Sequence, residues 1–199
     1  MKTIDTIDDL ETLYEAAVPA SLTKVVKRIT PHYATWINAA RFCVLSTVGP
    51  EGTDGSPRGD TGPVVRLIDE KTLHLPDWRG NNRIDSLRNI VRDGRVSLML
   101  MVPGANNVIR INGTAVLSDD PAITGTFEQK GKHPRSVIVI TVNEAYFQCA
   151  KAIMRSGLWT AEPAEGLPTA GQMVKEQQAE FDGQSYDDNY AEYAKTRMW

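Results

Sequence analysis

Val108-Ile109-Arg110-Ile111-Asn112-Gly113-Thr114-Ala115-Val116-Leu117 sets the fold class, because Ile109, Ile111, Ala115 and Leu117 alternate with Arg110, Asn112 and Thr114. A period of two sends successive side chains to opposite faces of a strand, one apolar and one polar. Upstream, Arg95 to Val102 repeats the pattern with Val96, Leu98, Leu100 and Val102 on one face. Further out, Phe42 to Val48 is β-rich and ends at the break Gly49-Pro50-Glu51-Gly52. Val64 to Ile68 and Thr72 to Leu75 flank Asp69-Glu70-Lys71 as a hairpin, and Ser136 to Val142 is another buried strand. Six or more strands with short connections predict a closed or nearly closed antiparallel barrel, since parallel pairs need longer crossovers.

Helices flank and interrupt these strands. Asp8 or Asp9 caps a first segment that gathers Leu10, Leu13, Tyr14 and Ala17 on one face; Leu22, Val25, Val26 and Ile29 continue the helical spacing, and Thr30-Pro31 opens a third helix. A helix beginning at Gly80-Asn81-Asn82 carries Ile84, Leu87 and Val91 and stops at Asp93-Gly94; another is capped by Asn143 and runs to Ser156-Gly157. A helix near Gln172 to Ala179 and a docked helix bearing Tyr186, Tyr190 and Tyr193 complete the chain. The expectation is one domain over 1–199: a helical extension at 1–40, a barrel with its site at 42–159, and a tail at 160–199.

With 22 basic and 25 acidic residues the formal charge is -3, so no global field draws the chain to nucleic acid or to an anionic membrane. A bound anion is held locally. Cys43 and Cys149 each sit in an apolar stretch, which reads as reduced core thiols, and no apolar signal core follows Met1, so a cytoplasmic protein is expected. His32, His74 and His133 are scattered without metal-ligand spacing, and neither a Walker loop, a GxGxxG turn nor a GxSxG elbow occurs. No metal site is expected.

The chemistry concentrates at Leu75-Pro76-Asp77-Trp78-Arg79-Gly80-Asn81-Asn82-Arg83, which leads a strand into a helix N-terminus. Free backbone N–H groups and the helix dipole favour an anion there, and a cation such as Arg83 is unfavourable unless an anionic ligand such as a phosphate outweighs the repulsion. Otherwise Asn81 is only a cap and Arg83 points to water. A second cluster, Gly55-Ser56-Pro57-Arg58-Gly59-Asp60-Thr61-Gly62-Pro63, lets a ring approach the backbone, and Arg66 follows on the next strand; the plainer alternative is an exposed loop with an Arg58–Asp60 ion pair. Lys151 and Arg155 lie one turn apart with Trp159 just beyond, either covering a ring and an anion or simply solvated. Arg110 interrupts an apolar strand or faces solvent.

Ser56-Pro57-Arg58-Gly59-Asp60, Leu75-Pro76-Asp77 with Gly80-Asn81-Asn82-Arg83, Pro103-Gly104, Arg110-Ile111-Asn112-Gly113 and Cys149-Ala150-Lys151-Ala152 with Arg155-Ser156 and Leu158-Trp159 resemble, in order, a bacterial subgroup of pyridoxamine 5′-phosphate oxidase-like, FMN-dependent flavoproteins. The resemblance spans about Phe42 to Trp159. It implies a split β-barrel homodimer with two FMN molecules at the subunit interface. It also implies a cofactor set of Arg58, Gly59, Asp60, Arg66, Pro76, Asp77, Asn81, Asn82, Arg83, Arg110, Lys151, Arg155 and Trp159. Arg66 and Arg83 fall where the family grips the phosphate, whereas Asn82 replaces a basic residue and Pro76 and Asp77 stand where hydroxyl residues are usual. The segment after Trp159 lacks the basic signature with which the true oxidase holds its product. The expected function is therefore FMN-dependent oxidoreduction on an unassigned small molecule or electron donor. The alternatives are a flavin carrier or a relative binding deazaflavin or haem.

Overall fold

The computed structural model describes residues 1–199 and places seven strands in one sheet. They are β1 (Phe42–Gly49), β2 (Gly52–Gly59), β3 (Arg66–Leu67), β4 (Thr72–Asp77), β5 (Arg95–Met101), β6 (Val108–Ser118) and β7 (Ser136–Gln148). Their order is β2-β1-β5-β6-β7-β4-β3, antiparallel throughout, with β2 and β3 as the two edges. The predicted alternation sets which face is inside: Leu98 and Leu100 on β5, Ile109 and Ile111 on β6, and Ile138 and Ile140 on β7 are buried in one core. Removing one such side chain to alanine costs about 2–5 kcal/mol.

The β6–β7 ladder shifts register between Asn112 and Gly113: Asn112 pairs with Glu144 and Gly113 with Val142, leaving Asn143 as the extra residue of a bulge. A Cβ on Gly113 would lie 2.1 Å from the Thr141 carbonyl oxygen, so the close approach requires glycine. This corrects the expected helix from Asn143. The residue that reads as a cap is a bulge, β7 runs on to Gln148, and only α6 (Lys151–Ser156) is helical.

Other boundaries move for identifiable reasons. Gly55 to Gly59, the first half of the cluster read as a ligand-approaching glycine segment or an exposed loop, belongs to the edge strand β2, paired residue for residue with β1, an edge position that tolerates Pro57. The helix expected from Gly80 begins at Asp85 and runs to Arg92 (α4), since Asn82 and Ile84 take left-handed backbone with φ of 63° and 54°. Its buried positions are Ser86 and Ile90, while Val91 is exposed. Ser86 Oγ donates to Asp54 of β2 at 2.5 Å and Asn89 Nδ2 to Thr47 of β1 at 3.1 Å, stapling α4 across both strands.

At the N-terminus only α3 (Pro31–Ala39), with Thr30 before Pro31, matches the expected helix. α1 (Ile7–Glu11) is capped by Thr6 rather than by Asp8 or Asp9, α2 (Pro19–Thr23) is one short turn, and neither buries a residue. Val26 is extended, exchanging backbone hydrogen bonds with Ala145. Apolar spacing over so few residues cannot nucleate a helix without a surface to pack on. Cys43 is buried as expected, but Cys149 is exposed.

Beyond a short turn, α5 (Pro121–Thr124), the tail folds as α7 (Ala170–Gln177) and α8 (Gly183–Lys195), which meet where Gly171 and Gly183 touch. A Cβ on Gly171 would fall 2.1 Å from the Gly183 carbonyl oxygen. The chain end then returns to the sheet: Trp199 stands edge-on to Trp78 at 5.4 Å, and Lys132 Nζ donates to the Trp199 carbonyl oxygen at 3.1 Å. No helix is long and apolar enough to cross a membrane.

Candidate cofactor-binding site

The sheet curls until β2 and β4, not neighbours in the ladder, face each other across a cavity of about 460 Å³. That volume suits a small molecule, for which sites run roughly 300–1,000 Å³. Of the residues singled out in the sequence, Arg58 and Gly59 line it from β2 and Asp60 from just beyond that strand, and Pro76, Asp77, Asn81 and Asn82 line it from β4 and the loop after it. Leu75 and Val64, buried in the core, form its apolar floor.

Arg58 and Asp77 form an ion pair across the gap, instead of the Arg58–Asp60 pair that the sequence left open. Arg58 Nε is buried without a hydrogen-bond partner. A buried guanidinium N–H left unsatisfied is costly, so this donor fits an acceptor atom placed in the cavity. Asp60 accepts from the indole Nε1 of Trp78 at 2.9 Å, from Gln129 Nε2 at 2.8 Å and from the Thr61 backbone N–H at 2.6 Å. Its carboxylate holds the Trp78 ring against the cavity wall. Opposite Arg58 in the β1–β2 register, Cys43 is buried, and burial pushes its thiol up to about 12 despite the pull of the Arg58 charge. It is inert.

The loop that ends the cavity is strained as well as polar. Ile84, a β-branched residue at φ 54°, occupies a conformation that costs roughly 1–3 kcal/mol, and it lines the site. Asn82, at φ 63°, tolerates the same region more readily. Two cations of this wall lie outside the set that the resemblance implies: Arg79, which belongs to the anion-favouring stretch Leu75–Arg83, and Arg135, which precedes β7, where only the pairing of Asp77 with Ser136 brings it to the loop. Arg135 lies 3.5 Å from Asn82 Oδ1. Met198 also reaches the cavity, and no signal in the sequence pointed to it.

The remaining candidates lie elsewhere in the chain. Arg66 borders a smaller neighbouring cleft, stacks 3.9 Å from the Phe127 ring centroid and donates to Thr126 Oγ1 at 2.8 Å. Its charge and, before that, burial hold the His74 imidazole below its ordinary value. Arg83 is exposed and paired with Asp85 at 2.9 Å. Arg110, half-buried, lies 5.2 Å from the Tyr146 ring. Lys151 and Arg155 are exposed on α6, and Trp159 donates its indole N–H to the Ala105 carbonyl at 2.8 Å. None of these six borders the cavity between β2 and β4.

Residues 29–149 match a family model described as Pyridoxamine 5′-phosphate oxidase. No curated protein matches the chain. Among solved structures, a variant of HupZ from Group A Streptococcus is 20% identical, with 60% of this chain and 99% of that one covered at a TM-score of 0.50. A putative pyridoxamine 5′-phosphate oxidase from Lactobacillus delbrueckii is 18% identical over 61% of this chain and 95% of that one, with a TM-score of 0.48. An FMN-binding protein from Syntrophomonas wolfei is 14% identical over 62% and 84%, with a TM-score of 0.44. At 20% identity the likeness to HupZ concerns the fold alone.

Proposed function

The chain belongs to the pyridoxamine 5′-phosphate oxidase family, and from that premise we propose that it is an FMN-dependent oxidoreductase whose flavin lies in the cavity between β2 and β4. The buried, unpartnered Nε of Arg58 at that cavity carries the reading, because it supplies a donor waiting for an acceptor in a pocket of cofactor size. Bound FMN supplies hydride or electron transfer, and the protein supplies binding and orientation. Arg79, Arg135, Asn81 and Asn82 form the polar end and would hold the phosphate; Leu75 and Val64 offer the ring an apolar floor; Trp78, fixed by Asp60, closes one side. Arg66 and Arg83 add positive potential on either flank of this wall.

The same reading takes the sheet as one half of a split-barrel homodimer. Lys151, Arg155 and Trp159, which border no cavity of their own chain named above, would then complete the site of the second copy, with Arg110 near the join. The barrel and most of its site fill 42–159, and 160–199 folds over it as a cover whose Met198 reaches the cavity. A visible spectrum of the purified protein, followed by an FMN titration and addition of NAD(P)H, tests the proposal. Flavin bands that NAD(P)H bleaches support the enzyme; tightly held bands that resist reduction support a carrier; deazaflavin or haem bands overturn FMN.

A further inference from the structure

Residues 162–199 are attached to the rest of the fold at their two ends and almost nowhere between. The stretch 162–168, with Pro163 and Pro168, is exposed throughout and makes no hydrogen bond. Beyond it α7 and α8 pack on each other: their buried residues are Gly171 and Gly183, in mutual contact, and Asp187 accepts from the Gly171 N–H at 2.8 Å. An open groove of about 880 Å³ separates α8 from the loop at Arg79 to Asn82, so the helix stands off the sheet instead of docking on it. Lys132 supplies the only hydrogen bonds between 162–199 and the rest of the chain, from Nζ to the carbonyl oxygens of Thr196 at 3.4 Å and Trp199 at 3.1 Å.

The far end is held by a catch built from the rest of the fold. Trp199 stands edge-on to Trp78, whose indole N–H is fixed on Asp60, and the same carboxylate accepts from Gln129 Nε2 at 2.8 Å. Gln129 and Lys132 exchange backbone hydrogen bonds at 3.0 Å across a turn in which Lys130 and Gly131 take left-handed backbone, φ 51° and 74°. Asp60 thus ties both receptors of the tail, Trp78 and Lys132, into one hydrogen-bonded unit. Trp78 and Asp60 also line the cavity between β2 and β4, and Met198, next to Trp199, is the only residue of 162–199 to reach it. The catch is part of the cavity wall.

Neither α7 nor α8 has a buried apolar side chain, and a segment that hangs on one ring pair and two hydrogen bonds opens far more often than the fold unfolds. We propose that 162–199 is a latched cover on the cavity, swinging on 162–168, and that the catch at Trp78 and Lys132 sets how often the cavity is open. A cover that closes over an empty and a filled cavity alike slows entry and exit by the same factor and leaves affinity unchanged. Only the naming of the occupant as FMN rests on the flavin reading above. Access does not.

Ser56 lines the cavity, so Ser56→Cys in a full-length Cys149→Ser background reports access without any ligand, and buried Cys43 serves as the control for unfolding. With the catch intact, a disulfide reagent should label the introduced thiol slowly. Trp199→Ala, which removes the ring pair, and Lys132→Met, which removes both hydrogen bonds, should each speed labelling about tenfold or more while Cys43 stays unlabelled. Trp199→Phe should restore most of the slowing. The same two unlatched variants should take up and release FMN faster by a common factor, at unchanged affinity. Labelling that neither variant speeds, or that runs as fast with the catch intact as for free cysteine, overturns the proposal. So does faster FMN release without faster entry, which would make Trp199 a wall of the site. Gated labelling in a protein that refuses FMN would sink the flavin reading and leave the cover standing.

Discussion

Arg58 of β2 and Asp77 of β4, each side chain 19% exposed, form an ion pair that joins two strands sharing no backbone ladder. The pair lies between the surface regime, where such contacts are worth little, and the buried regime, where losing one partner strands a charge. Asp77→Asn is expected to cost about 2 kcal/mol, between those limits. Urea unfolding measures this directly. An unchanged midpoint would mean that the curl of the sheet is held by packing alone.

Phosphate binding separates the arginines. Arg79→Ala and Arg135→Ala should each weaken FMN by about tenfold to a hundredfold, equivalent to roughly 1.5–3 kcal/mol, and leave riboflavin almost untouched. Arg66→Ala and Arg83→Ala, whose side chains lie outside the cavity, should produce smaller losses. A loss confined to FMN and larger in the latter two would relocate the phosphate between β3 and the start of α4.

Lys151, Arg155 and Trp159 are predicted to serve the second copy, so two defective variants should repair each other. Arg58→Ala impairs the cavity, and Lys151→Ala with Arg155→Ala impairs the α6 contribution. Mixed dimers then contain one site built only from intact parts. FMN binding that reappears on co-expression supports the arrangement, whereas binding that stays absent in verified mixed dimers contradicts it.

His74 makes stability depend on pH. Its Nδ1 is buried without a partner, and burial first, then Arg66, holds the imidazole below 6.5, with Asp69 opposing weakly. The unfolded chain therefore takes up the proton more readily than the fold. Stability from this group is full above about pH 6.5 and is lost as the pH falls toward the depressed folded value. Melting temperature should drop on acidification from about pH 7.5 to 5.5, and His74→Leu should flatten part of that drop. An identical slope in the variant would remove His74 as a cause.

The two thiols should react at different rates. Cys149 is exposed, and Cys43 is buried with its thiol pushed up to about 12, so a disulfide reagent should label Cys149 in the native protein and Cys43 only after unfolding. Mass spectrometry of peptides labelled under both conditions reads this out. Fast native labelling of Cys43 would show that the β1–β2 wall opens.

Much of the fold is legible in the sequence where one face of an element is fully buried. β5 and β6 follow from alternation, β1 from β-rich residues ended by the Gly49–Gly52 break, and α3 from Thr30-Pro31, because local pattern and tertiary environment agree there. The sequence misled where a residue has two uses. Asn143 is an equally good helix cap and bulge residue, and only the β6–β7 register decides between them. Glycines such as Gly55 and Gly59 mark a loop or an edge strand with equal force, and the pairing with β1 settles it. Within the site, Arg58 through Asp60 and Pro76 through Asn82 are contiguous stretches and could be found by reading along the chain. Arg135 and Met198 reach the same cavity from distant positions, through strand pairing and the returning tail, which no local pattern encodes.

β2 has one further consequence, for solubility. As an edge strand it offers a row of unpaired backbone groups on its free side, the kind of surface on which chains stack into aggregates. Pro57 has no N–H to lend to an incoming strand, and Gly52 and Gly55 keep the segment weakly β-forming. The wall that shapes the cavity is therefore also the protein's guard against edge-to-edge aggregation. Replacing Pro57 with valine to tighten the pocket would remove that guard, so redesign of this wall trades ligand fit against colloidal stability.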